Sequence, residues 1–106
     1  MTTTTVTPTS QAFSVANFAS GSFTSDGNAT IVKLGFTARR VEAVNSTDTI
    51  VWTKLEGMAA ANCVKVTSTT QSIETSSDIL INTDKTITLS ATLVGSSKAI
   101  SWTAFA

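Results

Sequence analysis

The stretch KTITLSATLV, Lys85 to Val94, decides the fold class. Ile87, Leu89, Ala91 and Leu93 alternate with Thr86, Thr88, Ser90 and Thr92, which predicts a strand with one dry and one wet face. Successive strand residues point to opposite sides of a sheet, so this period of two excludes an amphipathic helix. Threonine is polar but β-branched, and it suits the wet face.

The same rhythm extends outward in both directions. On the C-terminal side, Gly95 to Ser97 reads as a turn. Ala99 to Phe105 follows as a strand, with Ile100, Trp102 and Ala104 on one face. On the N-terminal side, Asp78 to Asn82 places Ile79 and Ile81 together, and Gln71 to Glu74 centres on Ile73. Cys63 to Thr67 is predicted as a strand with Val64 and Val66 inward. Ala59 to Asn62 has the length of one helical turn. Thr49 to Leu55 carries apolar residues on both faces, as expected of a strand covered on both sides or meeting a partner.

Arg39 to Asn45 is a further strand, with Val41 and Ala43 on one face and Arg40, Glu42 and Val44 on the other. Asp26-Gly27 between β-prone runs predicts a hairpin whose second arm places Thr30, Val32 and Leu34 on one face. Ala19 to Ser22 reads as a turn, and Gln11 to Phe18 as a strand presenting Phe13 and Val15. Short strands at this spacing predict an all-β antiparallel sandwich or small jelly-roll-like barrel. Residues 11–106 form that single domain. Residues 1–10, MTTTTVTPTS, form an N-terminal arm that is either a flexible tail or an extended segment laid on a neighbouring subunit.

Composition excludes most chemistry. There are 106 residues, no histidine and one cysteine, so a Ser-His-Asp triad, a histidine-bearing zinc site and an intrachain disulfide are all ruled out. Cys63 reads as a small buried hydrophobe rather than a nucleophile. Lys and Arg number 7 and Asp and Glu number 7, so formal net charge is +0, which gives little pull toward nucleic acid and little repulsion between copies. No phosphate-cradling loop occurs, and calcium would need Asp26, Asp48, Asp78 and Asp84 brought together from separate loops. Two Asn-x-Thr patterns, at Asn28 and Asn45, match the glycosylation acceptor, but the first twenty residues lack the features of a secretory signal. No run is long enough to span a bilayer as a helix. The reading is of a non-enzyme with no cofactor, no metal, no small-molecule substrate, no direct nucleic-acid partner and no membrane.

Gly35-Phe36, Arg39, Val41, Asn45, Trp52 and Gly57-Met58, with Ser101-Trp102-Thr103-Ala104 near the end, form a pattern that resembles small all-β structural proteins of tailed-phage virions. The resemblance covers roughly residues 27 to 60 and the last ten or so. It implies a virion location after synthesis in the host cytoplasm. The implied role is a capsid decoration or cement protein that bridges coat subunits through its loops and arm, as a homo-oligomer with a trimer favoured. It further implies that Gly35 and Phe36 hold a corner between sheets, that Trp52 and Met58 are core, and that Arg39 and Asn45 brace loops. Trp102 joins the core in this reading. Thr2, Thr3, Thr4, Thr5, Val6, Pro8, Arg39 and Arg40 are the candidate interface. The alternatives are a tail-tube, neck or baseplate component of the same virion, or a carbohydrate-binding host-attachment module with an exposed tryptophan.

Overall fold

A computed structural model of the chain describes residues 3–6, 11–12 and 18–106. The elements are β1 (Thr3–Val6), β2 (Gln11–Ala12), β3 (Phe18–Asp26), β4 (Ala29–Lys33), β5 (Arg40–Asn45), β6 (Ile50–Leu55), β7 (Cys63–Val66), β8 (Gln71–Glu74), β9 (Ile79–Ile81), β10 (Thr86–Leu89), α1 (Ala91–Val94) and β11 (Ser96–Phe105). They form a seven-stranded sheet in the order β2-β3-β11-β5-β6-β7-β8 and a four-stranded sheet in the order β1-β4-β10-β9. The fold is the all-β sandwich that the alternating pattern predicts.

The core is one cluster fed by both sheets. Val32, Ile79, Ile87 and Leu89 come from the smaller sheet, and Val41, Ala43, Trp52, Ile100, Trp102 and Ala104 from the larger. Thr30, Val32 and Leu34 are all buried, in line with their spacing. The longest strand, β11, pairs with β3 on one side and β5 on the other, and so forms the spine of the larger sheet.

Several expectations are corrected. The strand of Lys85 to Val94 is half a strand. After Leu89 the chain turns into α1, because the Ser90 side chain accepts the Leu93 N–H at 3.0 Å and caps the turn. Leu93 and Val94 are then both buried, which consecutive residues of a one-sided strand cannot be. Asp26-Gly27 makes no hairpin. Gly27 has φ 85°, as a tight turn requires, but β3 continues into the larger sheet while β4 enters the smaller. The turn is a corner between layers. Ala19 to Ser22 is not a turn and belongs to the nine-residue β3.

β7 shows the opposite face to the one expected. Thr53 pairs with Val64, which puts Val64 and Val66 on the outside and leaves Cys63 buried opposite Lys54. Ala59 to Asn62 forms a turn closed by Asn62 N–H to the Ala59 carbonyl at 2.9 Å, without a helix. The antiparallel rule fails once: β1 lies parallel to β4, with Thr3 opposite Ala29 and Val6 opposite Val32. Gln11 and Ala12 pair with Ala19 and Phe18, whereas Phe13 and Val15 lie outside the described residues.

Candidate functional site: an uncovered sheet face

The inner face of the seven-stranded sheet packs on the smaller sheet through its central strands, and at β8 the inward Ser72 is exposed. The outer face of the larger sheet is not covered by any described element. Pairing register places the outward side chains in three rows that cross the strands. The first runs Phe18, Phe105, Arg40, Leu55. The second runs Ser20, Thr103, Glu42, Thr53, Val64, Ile73. The third runs Ser22, Ser101, Val44, Val51, Val66, Gln71.

Six aliphatic residues therefore gather on β5 to β8: Val44, Val51, Leu55, Val64, Val66 and Ile73. Ile73 is 56% exposed and Leu55 46% exposed. Scattered apolar residues are ordinary on a protein surface, but a contiguous group on the outside of a sheet is not. On one face each side chain takes up one strand spacing of about 4.8 Å by two residue rises of about 3.3 Å, so the six cover roughly 190 Å².

The charges on this face cancel. Arg40 and Glu42 lie side by side on β5, with their side chains 3.8 Å apart. The Arg40 guanidinium also sits 5.9 Å from the Phe105 ring centre, and Phe105 leans on Phe18 with centroids 5.1 Å apart. The face is apolar on one half, aromatic at a corner and without net charge.

A cleft of about 280 Å³ opens beside the end of β6, between Ala38, Arg39, the run Lys54 to Met58, Ala60 and Ile81. Arg39 and Glu56 close its rim in a two-point ion pair, Nε to Oε2 at 3.0 Å and Nη2 to Oε1 at 2.8 Å. That pair holds the Glu56 carboxyl below its usual range and the Arg39 guanidinium above its own. The pair ties Arg39, just before β5, to the loop that follows β6. Met58 does not join the core. It is half-buried, and its sulfur accepts the Leu55 N–H at 3.4 Å.

Lys54 forms the inner wall of the cleft and is only 4% exposed. Its Nζ donates to the carbonyls of Ala59, Ala60 and Asn62 at 2.9, 3.0 and 2.8 Å. Burial pushes its pKa below the ordinary lysine value. Across the strand pair, burial and then the nearby Asp78 carboxylate push the Cys63 thiol up. A protonated, buried thiol is no nucleophile. The amine in turn has all three donors committed to the loop, so the pair is a structural tie rather than a reactive one.

The remaining site candidates are placed as follows. Gly35, exposed with φ 85°, starts the crossing from β4 to β5, and Phe36 is buried one residue on. Val41, Trp52 and Trp102 are buried. Burial of both indoles removes the exposed stacking platform that a carbohydrate module needs. Their Nε1 atoms find no hydrogen-bond partner among the described residues. Asn45 is buried and closes the turn after β5, donating to Asp48 Oδ2 at 3.1 Å and accepting the Asp48 N–H at 3.0 Å. The Thr3, Thr4, Thr5 and Val6 backbone lies on the chain's own β4, while Thr2 and Pro8 fall outside the described residues.

The four aspartates stay apart. Asp48 meets Lys98 at 3.2 Å, Asp78 accepts from Ser90 at 2.8 Å, Asp84 accepts from Thr86, and Asp26 accepts the Asn28 N–H at 3.1 Å. Among the described residues no three of His, Cys, Asp or Glu gather as a metal site. The outer face is the feature that sequence reasoning half missed. Its signal was the two-sided apolar strand Thr49 to Leu55, and the reversed β7 supplies the rest. Comparison with protein-family models, curated proteins and solved structures finds no match.

Proposed function

We propose that the chain is a non-enzymatic structural protein of a phage virion, a decoration or cement protein that docks on coat subunits. The observation that carries this reading is the uncovered outer face of the seven-stranded sheet, where six aliphatic side chains stand beside a self-neutralised Arg40–Glu42 pair. Such a face offers area and shape but no concave reaction site. It suits a flat protein partner better than a small ligand.

Magnitude decides how it would work. A footprint of roughly 190 Å² is about a quarter of the roughly 800 Å² per partner in a standard stable interface. One such contact is weak by itself. On a lattice of repeated coat subunits, further contacts from the same molecule act at high effective concentration, and the weak sites sum to firm attachment. The chain then stabilises the shell by mass action, because it binds the assembled form.

Co-sedimentation of the purified chain with coat shells of the encoding phage tests the reading. The expected result is saturable binding that Val66→Lys with Ile73→Lys weakens at least tenfold. Full binding by that double variant would remove the face from the mechanism. Binding to tails and not to shells would favour the tail-component alternative.

A further inference from the structure

We infer that β1 is an exchangeable strand, and that in assemblies of this chain Thr3–Val6 of one copy completes the β4 edge of another. The inference deepens the assembly reading by naming the partner of the arm: a second copy of the chain, met through main-chain pairing.

Three observations carry it. First, β1 lies parallel to β4 at the open edge of the four-stranded sheet, so no tight hairpin binds it to its neighbour. A hairpin strand cannot leave its partner without breaking its own turn. A strand joined by a long connection can.

Second, the connection is long enough. Val6 and Phe18 are twelve residue steps apart, which span about 40 Å when extended. The longest dimension of the molecule is 38 Å. In the described residues between them, only the two-residue β2 is tied to the body, through Gln11 opposite Ala19 and Ala12 opposite Phe18. Among the described residues of that connection, Gln11 and Ala12 are the ones that exchange must release.

Third, the contact is the same in either location. Four residues of β1 pair with four of β4 whether the acceptor belongs to the same chain or to another, so exchange preserves that pairing. The formal net charge of +0 leaves no general repulsion between copies to overcome. Exchange turns an internal strand into a bridge without any new surface.

Thr5 and Ile31 are register partners, and Thr5 is exposed. Neighbouring strands lie about 4.8 Å apart, within reach of a disulfide. The test mixes two single variants, Thr5→Cys and Ile31→Cys, in denaturant, refolds them together without coat protein, and oxidises them. The native Cys63 is fully buried and does not compete. A covalent mixed dimer at least tenfold above that of a Thr5→Cys and Ser72→Cys mixture is expected. Mixed dimer at the control level overturns the inference. So does a Thr5→Cys/Ile31→Cys double variant that closes only within monomers, and so does a double variant that forms no disulfide. Because coat protein is absent, failure here leaves the shell-binding result independent.

Discussion

Gly21 lies directly opposite Trp102 across β3 and β11, and a Cβ at Gly21 would stand 3.0 Å from the indole Cζ2. The row continues through Ala43 to Trp52. Large and small residues alternate along it, so each indole lies over a neighbour without bulk. Gly21→Ala is expected to cost about 1–3 kcal/mol, because the ring must leave its rotamer or the strands must part. Gly21→Val is expected to cost more. Urea unfolding followed by tryptophan fluorescence reads the loss. A midpoint within error of wild type for Gly21→Ala would show that the ring has room to move.

Lys54 and Cys63 give a pH prediction with opposite signs. The folded-state pKa of Lys54 is lowered from 10.5, so above that lowered value the folded chain binds fewer protons than the unfolded one. Its contribution to stability therefore rises with pH until about 10.5. The Cys63 pKa is raised from 9.0, so its contribution falls as pH climbs past 9.0. Stability of wild type relative to Lys54→Met should accordingly improve with alkaline pH, whereas stability relative to Cys63→Ala should decline. At neutral pH, Lys54→Met leaves the three loop carbonyls without their donor and is expected to lose about 1–3 kcal/mol. Parallel stability–pH curves for all three proteins would refute the buried tie.

The reversal of β7 predicts which substitutions the fold tolerates. Val66 and Ile73 point outward, so Val66→Lys and Ile73→Lys should each change stability by less than about 0.5 kcal/mol. Cys63→Lys should prevent folding, because it would bury a second ammonium beside Lys54. Circular dichroism melts separate the cases. Strong destabilisation by Val66→Lys would mean that the face is covered within the chain itself.

How much of this was legible follows from the kind of signal each residue carries. Alternation in Ala99 to Phe105 survives intact, since Ile100, Trp102 and Ala104 are buried while Ala99, Ser101 and Phe105 are exposed and Thr103 is half-buried. In Cys63 to Val66 the rule "valines inward" fails, because hydrophobicity ranks Val64 and Val66 above Lys65, yet Lys65 takes the inner side opposite Trp52. On the neighbouring β6 the Lys54 ammonium is buried too, satisfied by three carbonyls that lie five to eight residues away. No local pattern announces that cage. The Asp26-Gly27 signal read the turn correctly and the partner wrongly. Turn chemistry specifies how the chain bends, not which sheet its continuation joins. The outer face is likewise a product of register, visible only once Val64 is set beside Thr53.

Ser90 decides the stretch from which the fold was read. Its hydroxyl accepts from Leu93 N–H at 3.0 Å and donates to Asp78 Oδ1 at 2.8 Å, while its own N–H reaches the Asp78 carbonyl at 2.9 Å. The alternation Ile87, Leu89, Ala91, Leu93 hides this cap. The residue three beyond it is leucine, where a capping box would show glutamate or glutamine. Ser90→Ala removes the acceptor and leaves a buried carboxylate without one donor, so a loss of about 1–2 kcal/mol is expected. Ser90→Thr retains both bonds and should lose less. Hydrogen exchange at the Leu93 amide isolates the cap from general destabilisation. It should accelerate more in Ser90→Ala than exchange at Ile100, which lies in β11. Equal acceleration at both amides would assign the effect to the core and leave the turn uncapped in wild type.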